Sequence, residues 1–169
     1  MKNLKTLLFI AVFSLGLGGV ANAQKIGHID FEKLVAEMPE TKQLKSDIEK
    51  LGKTYQDEIE GMGKKLDAKI KKYTSESPSQ AKEINDSRAQ EVQQERARYE
   101  QLRQTAYEDM QKKQAEGLQP IIEKAQKAID DVAAEKGILY VLDSSVSKGV
   151  VLVQKGEDLY SAVKAKLGF

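Results

Sequence analysis

The sequence contains no cysteine, no tryptophan and a single histidine, His28. Without cysteine the chain forms neither a disulfide nor a thiolate metal site, and no lipid can be attached through a cysteine. His28 has no second histidine with which to hold a metal, so we expect it to pack or hydrogen-bond in the fold. Phosphate loops, dinucleotide fingerprints, HExxH and nucleophile-elbow motifs are missing as well. These absences predict a protein that is not an enzyme and that needs no metal or cofactor.

Long hydrophobic runs are missing except at the N-terminus. Two lysines there precede an apolar stretch at 7–20, which is shorter than the roughly 20 residues of a membrane-spanning helix. Ala21-Asn22-Ala23 then has the small–x–small form of a signal-peptidase site. The pattern predicts a signal peptide over residues 1–23 that is cleaved after Ala23, so the mature chain is exported without stable membrane insertion. A retained N-terminal anchor is the alternative.

Neither sign of charge is in excess. The signal peptide would take Lys2 and Lys5 with it, so the 27 basic residues fall by two while the 26 acidic residues remain. The mature chain then has a net charge near −1, with His28 neutral. This balance does not favour long-range attraction to nucleic acid or to an anionic membrane.

The most regular feature is the stretch 41–113, whose two halves match when it is folded about Ser77. Apolar residues then face apolar residues, as expected for an antiparallel helical hairpin with its tip near 75–79, where a proline and serines favour a turn. The numbers of paired positions add up to about 154, as for Leu44 with Met110 and Met62 with Val92. The predicted seam of this arm consists of Leu44, Ile48, Leu51, Tyr55, Met62, Ile70, Ile84, Val92, Tyr99, Leu102 and Met110.

The first arm helix, about 41–73, repeats its apolar residues every eleven positions, which predicts a nearly straight arm. The second is expected to start near Ser79 and to return past Lys113. Gly61 and Gly63 each cost about 1 kcal/mol relative to alanine inside a helix. They are therefore the candidates for a hinge that lets the arm bend, and simple tolerance of glycine is the alternative.

A basic run in the first arm helix has two interpretations. Folding about Ser77 places acidic residues of the returning helix opposite it, so charge complementarity that fixes the antiparallel register is favoured. A patch for phosphate, lipopolysaccharide or a membrane is the alternative. The run consists of Lys64, Lys65, Lys69, Lys71 and Lys72.

Residues 24–40 and 114–169 flank the arm and predict a small α+β body. Pro39 is expected to start the long helix with Thr41 as its cap, and Gly117 and Pro120 to interrupt the returning helix at the base of the arm. About 75 residues make a small core, so we expect an oligomer. The predicted elements are a strand at 25–31, a short helix at 32–37, a helix at 121–134 capped by Gly137, a β-hairpin of 138–142 with 150–153, and a last helix opened by 156–158.

Taken in order, these segments resemble the Skp/OmpH family of periplasmic chaperones over the whole mature chain. The segments are a signal peptide, KIGHIDFEKLVAEMPE, a long charged hairpin, IIEKAQKAIDDVAAEKGILYVLDSS, VVLV and DLYSAVKAKLG. The resemblance implies a jellyfish-like homotrimer, in which three arms reach from the joined bodies around a cavity. It implies an ATP-independent holdase of the periplasm that binds unfolded outer-membrane proteins and prevents their aggregation before membrane insertion. Well-known members are strongly basic and this chain is not, so no residue is assigned to lipopolysaccharide.

In such a trimer the bodies would join through their β surface. A structural adaptor, the docking hairpin of an envelope complex, is the alternative function, although adaptors usually carry additional β domains for which this chain is too short. A small hydrolase is a weaker third. The residues predicted to supply the oligomerisation surface are Ile26, Ile29, Ile138, Tyr140, Leu142, Val151 and Val153.

Overall fold

The computed structural model describes residues 25–149, 151 and 153–169, and the predicted signal peptide lies outside them. The fold is α+β, with two long antiparallel helices and a three-stranded sheet. Among the described helices, none is long and apolar enough to span a bilayer. In chain order the elements are β1 (Ile26–Ile29), α1 (Phe31–Glu37), α2 (Pro39–Glu76), a 3-10 turn (Ser77–Ser79), α3 (Lys82–Lys136), β2 (Tyr140–Asp143), a second 3-10 turn (Val146–Lys148), β3 (Glu157–Asp158) and α4 (Tyr160–Leu167).

The break between α1 and α2 follows from Pro39. A proline disfavours helical backbone at the residue before it, and Met38 is accordingly extended, with φ −58° and ψ 136°. Pro39 is then the first residue of α2, as predicted. The prediction that Thr41 caps this helix is wrong, because Thr41 lies inside α2 and its hydroxyl donates to the carbonyl of Val35 at 2.5 Å.

The returning helix α3 is one continuous helix of 55 residues, about 80 Å long. The predicted interruption at Gly117 and Pro120 is therefore wrong. A proline in a helix removes one hydrogen bond and crowds the carbonyl four residues earlier, here that of Glu116. Pro120 and Glu116 are exposed, so water can satisfy that carbonyl. The helix continues because its next turns bury apolar side chains in the body, beginning with Ile121.

The two arm helices are antiparallel, but their predicted register is wrong by two helical turns. A Cβ built on Gly117 would lie 3.3 Å from Leu44 Cγ, and one on Gly52 would lie 3.2 Å from Met110 Cε. Gly63 faces the Tyr99 ring at 3.5 Å. Each partner lies seven or eight positions further along α3 than folding about Ser77 predicts.

The shift arises because α2 runs to Glu76 and α3 begins only at Lys82, so the hairpin folds near residue 81. Two turns are about seven residues, so the displaced helix presents the same apolar stripe. The predicted seam residue Ile84 is 45% exposed, because this register leaves no α2 residue opposite it. The other predicted seam residues are all half-buried, and Leu66 and Ala106 are the buried residues of the arm.

The register can be tested with a disulfide, since the chain has no native cysteine. Leu44→Cys with Gly117→Cys should crosslink within one chain, because a Cβ at 117 lies 3.3 Å from the Leu44 Cγ, so the two positions face each other at close range. Leu44→Cys with Met110→Cys, the register of the symmetric folding, should not crosslink. Oxidation followed by non-reducing electrophoresis at low protein concentration measures both. A crosslink in the second pair alone would contradict the observed register.

The sheet is parallel throughout, with β1 in the centre and the strand order β2-β1-β3. Ile26 pairs with Tyr140, and Gly27 pairs with both Val141 and Glu157. A parallel pair requires a long crossover, which the whole arm provides between β1 and β2.

The predicted β-hairpin of 138–142 with 150–153 is therefore wrong, because β2 pairs with β1. Val151 and Val153 lie outside any strand, while positions 150 and 152 are not among the described residues. The prediction that 156–158 opens the last helix is also wrong, because Glu157–Asp158 forms β3.

The hydrophobic core lies in the body, between the sheet, α1, α4 and the last turns of α3. Leu34, Met38, Leu159 and Val163 are fully buried there. A Cβ on Gly156 would approach the Ile26 carbonyl oxygen to 2.6 Å, so this position requires glycine. The remaining core residues are Ile29, Ile121, Ala125, Ala128, Ile129, Val132, Ala133 and Ile138.

Candidate functional site: the exposed sheet face and the arm

One face of the sheet carries apolar side chains that the chain leaves exposed. Tyr140 and Leu142 alternate along β2, and Ile26 pairs with Tyr140 on the same face. Tyr140 is 61% exposed, and Ile26 and Leu142 are exposed as well. β2 is also an edge strand, so its outer backbone groups have no strand partner among the described residues. An apolar face beside a free edge is typical of a surface that binds another protein.

The structure divides the predicted oligomerisation residues into two groups. Ile26, Tyr140, Leu142 and Val153 are exposed, and Val151 is half-buried. Ile29 and Ile138 instead lie in the core of their own chain, at 2% and 7% exposure, and are not available to a partner. For Ile29 the reason is the two-residue period of β1, which places it on the opposite face from the exposed Ile26. Ile138 precedes β2 and belongs to the core cluster.

The distal arm is joined by charged and polar contacts. Lys69 donates to Glu91 at 2.7 Å and also to Glu95. The Tyr73 hydroxyl donates to Glu91 at 2.7 Å, and the Arg88 guanidinium lies 4.5 Å from the centre of the Tyr73 ring. In the sequence this network is visible as polar residues spaced by three or four positions, like the seam. A pattern defined by apolar residues alone does not include them.

The expectation that acidic residues of the returning helix form ion pairs with the basic run is wrong for most of its lysines. Lys69 alone reaches α3, and Lys64 pairs with Glu60 on its own helix. Within the described part of the chain, Lys65, Lys71 and Lys72 form no ion pair. The two-turn shift in register is the reason, since it moves the acidic residues of α3 away from them.

Acid should loosen the distal arm through Glu91. Hydrogen bonds from Lys69 and then Tyr73 lower the pKa of Glu91 below its ordinary value. A lowered carboxyl pKa stabilises the fold above the unfolded pKa, about 4.3, and the contribution is lost as the pH falls through the folded value. Hydrogen exchange of amides 85–95, corrected for intrinsic rates, should lose protection between pH 5 and pH 3.

Glu91→Gln should remove this part of the pH dependence. The control is Glu83→Gln, which changes an exposed glutamate of α3 that forms no ion pair with the described residues and should leave the dependence unchanged. An equal loss of protection in wild type and Glu91→Gln would show that Glu91 is not its source.

The candidate hinge glycines have different surroundings. Gly63 faces the Tyr99 ring, whereas a Cβ built on Gly61 meets nothing within 4 Å. Both lie in the uninterrupted helix α2. Packing between the arm helices therefore does not require glycine at 61.

Two hollows lie in the middle of the arm and share Met62 and Lys65. The hollow nearer the body has a volume of about 510 Å³, and the hollow nearer the tip about 430 Å³. In the described residues, no three His, Asp or Glu side chains form a cluster that could hold a metal. The first hollow is completed by Asp57, Glu58, Gly61 and Leu102, and the second by Lys69, Glu95 and Arg98.

Comparison with known proteins agrees with this architecture. The model of a family described as outer membrane protein (OmpH-like) matches residues 25–167. The fold is also similar to a crystal structure from Caulobacter crescentus CB15, described as an outer membrane chaperone (OmpH-like), with a TM-score of 0.74 and 17% identity. The match covers 88% of this chain and 86% of that chain. No curated protein sequence matches the chain.

Proposed function

The chain belongs to the OmpH-like family, and from that premise we propose that it is a chaperone for unfolded outer-membrane proteins. It acts in the periplasm after its signal peptide is cleaved at Ala23, and it works without ATP. Its clients are held between arms and kept from aggregating until they insert into the membrane.

The observation that carries this proposal is the arm itself. α2 has 38 residues, about 55 Å, and only Leu66 and Ala106 are buried along the hairpin. A surface of this kind offers many weak contacts and no closed pocket. Such contacts suit a partner that binds unfolded chains of many sequences and must later release them.

We further propose that three chains assemble through the exposed sheet face, with Ile26, Tyr140 and Leu142 at its centre. In this arrangement residues 24–40 and 114–169 form the assembly body, and residues 41–113 form the arm. Three arms around a cavity would shield an unfolded β-barrel precursor, whose free strand edges and apolar side chains otherwise aggregate. Bending at Gly61 and Gly63 would adjust the width of the cavity.

Light scattering tests the proposal. A urea-denatured outer-membrane β-barrel protein is diluted into buffer with and without one equivalent of the mature protein trimer. We expect scattering to be suppressed in the absence of ATP, with no change when ATP is added. Unchanged scattering would overturn the holdase. Stable capture of an inner-membrane transporter without suppression would favour the structural adaptor instead.

A further inference from the structure

Gly61 leaves an unfilled depression beside Met62 in the middle of the arm. A Cβ there would meet no atom within 4 Å, and alanine is the better helix former, so neither packing nor helix formation selects glycine. The two hollows on this side of the arm are neighbours, because Met62 and Lys65 line both of them. We treat them together as one groove. We name it the mid-arm groove, lined by Gly61, Met62, Lys65, Arg98 and Leu102.

The charges of the groove differ at its two ends. Near the tip, Lys69 is already engaged with Glu91 and Glu95. Lys65 and Arg98 line the same hollow and form no ion pair within the described part of the chain. Asp57 and Glu58 lie at the end nearer the body. The groove therefore offers Arg98 near the tip, Lys65 beside the apolar middle that both hollows share, and two carboxylates, Asp57 and Glu58, at the end nearer the body.

We propose that the mid-arm groove binds an extended segment of unfolded polypeptide that carries an apolar side chain next to an acidic one. The apolar side chain enters the depression at Gly61 and contacts Met62 and Leu102. The carboxylate lies between Lys65 and Arg98, because Asp57 and Glu58 repel it from the other end. This inference rests on the proposed function, since it gives the chaperone a defined subsite for its clients.

The dimensions of the groove agree with this occupant. From Asp57 to Lys69 the helix rises about 18 Å, which an extended chain spans with five or six residues. Met62 is flexible and polarisable, so it can contact apolar side chains of different shapes. The groove is open to solvent along its length, as a subsite for weak and exchangeable contacts requires.

Peptide binding tests the subsite. A fluorescent seven-residue peptide of alternating valine and threonine with one terminal glutamate is titrated with the mature protein, and anisotropy gives the Kd. Lys65→Gln with Arg98→Gln should weaken binding about tenfold, as the loss of two exposed ion pairs predicts. Replacing the peptide glutamate with glutamine should weaken binding to the wild type but not to this double variant.

Matched variants separate the groove from general effects. Lys71→Gln with Lys72→Gln removes the same charge from exposed lysines outside the groove and should change the Kd less than twofold. Gly61→Leu should fill the depression and weaken binding about fivefold. Gln56→Leu, exposed and about 140° around the helix from Gly61, should leave it unchanged. Circular dichroism confirms that each variant is folded.

The outcomes distinguish the subsite from the chaperone activity. If wild type suppresses client aggregation but does not bind the peptide, the subsite is overturned and the proposed function stands. The same conclusion follows if wild type suppresses aggregation and the groove variants bind the peptide as tightly as wild type does. If wild type binds the peptide with the expected variant pattern but does not suppress aggregation, the proposed function is overturned and the subsite stands.

Discussion

Replacing Leu34 with alanine is expected to lower the free energy of unfolding by about 2–5 kcal/mol. Leu34 lies in α1, is 0% exposed, and belongs to the core cluster that joins the sheet to α3 and α4. Alanine would remove buried methyl groups and leave a cavity that the surrounding helices can close only in part. Because a small domain has a net stability of only about 5–15 kcal/mol, this is a large fraction of the total.

Urea denaturation followed by circular dichroism measures this loss. Ile84→Ala is the control, because it also removes a branched apolar side chain from a helix, but at an exposed position near the arm tip. Its effect should stay within about 0.5 kcal/mol. Equal effects of the two substitutions would show that the body core does not carry the stability of the chain.

Replacing Tyr140 and Leu142 together with glutamate is expected to reduce the particle mass from three chains to one. Both side chains lie on the exposed face of β2. In the proposed trimer they are buried against partner chains, and a buried carboxylate without a partner is strongly unfavourable. Light scattering coupled to size-exclusion chromatography gives the mass directly.

Tyr107→Glu is the matched control for this second prediction. Tyr107 is 63% exposed, close to the 61% of Tyr140, but it lies on the arm. Its substitution should leave the mass unchanged. If the double variant keeps the mass of three chains, the sheet face is not the assembly surface, and a wild type with the mass of one chain would refute the trimer.

The same substitutions connect assembly to activity. A single chain that keeps a folded arm has no cavity, so the double variant should also lose the suppression of aggregation. The arm and the body thus have different roles in the proposed mechanism. The body concentrates three weakly binding arms, and multivalency turns their weak contacts into stable retention of a client.

Local patterns in the sequence are sufficient for much of the candidate site. The apolar spacing in 41–113 predicts two antiparallel helices, and the structure has them as α2 and α3. The β-rich run 138–142 predicts a strand, and β2 includes its last three residues. Because the run is apolar at every position, only the structure shows that Tyr140 and Leu142 are exposed while Ile138 is buried. The mid-arm groove was missed because it depends on which residues of α3 lie beside Gly61, and the symmetric folding places the wrong ones there.

The antiparallel hairpin, the α+β class and the resemblance to the OmpH-like family follow from residue patterns alone, and the match to residues 25–167 confirms the family. These features rest on periodicity and turn residues, which act over a few neighbouring positions. The hairpin register, the continuation of α3 through Pro120 and the central position of β1 between parallel strands depend instead on the packed fold. A helix moved by two turns presents the same apolar stripe, and the pattern of a short strand does not specify which strand it pairs with. Packing between distant segments selects one arrangement from several that are locally equivalent.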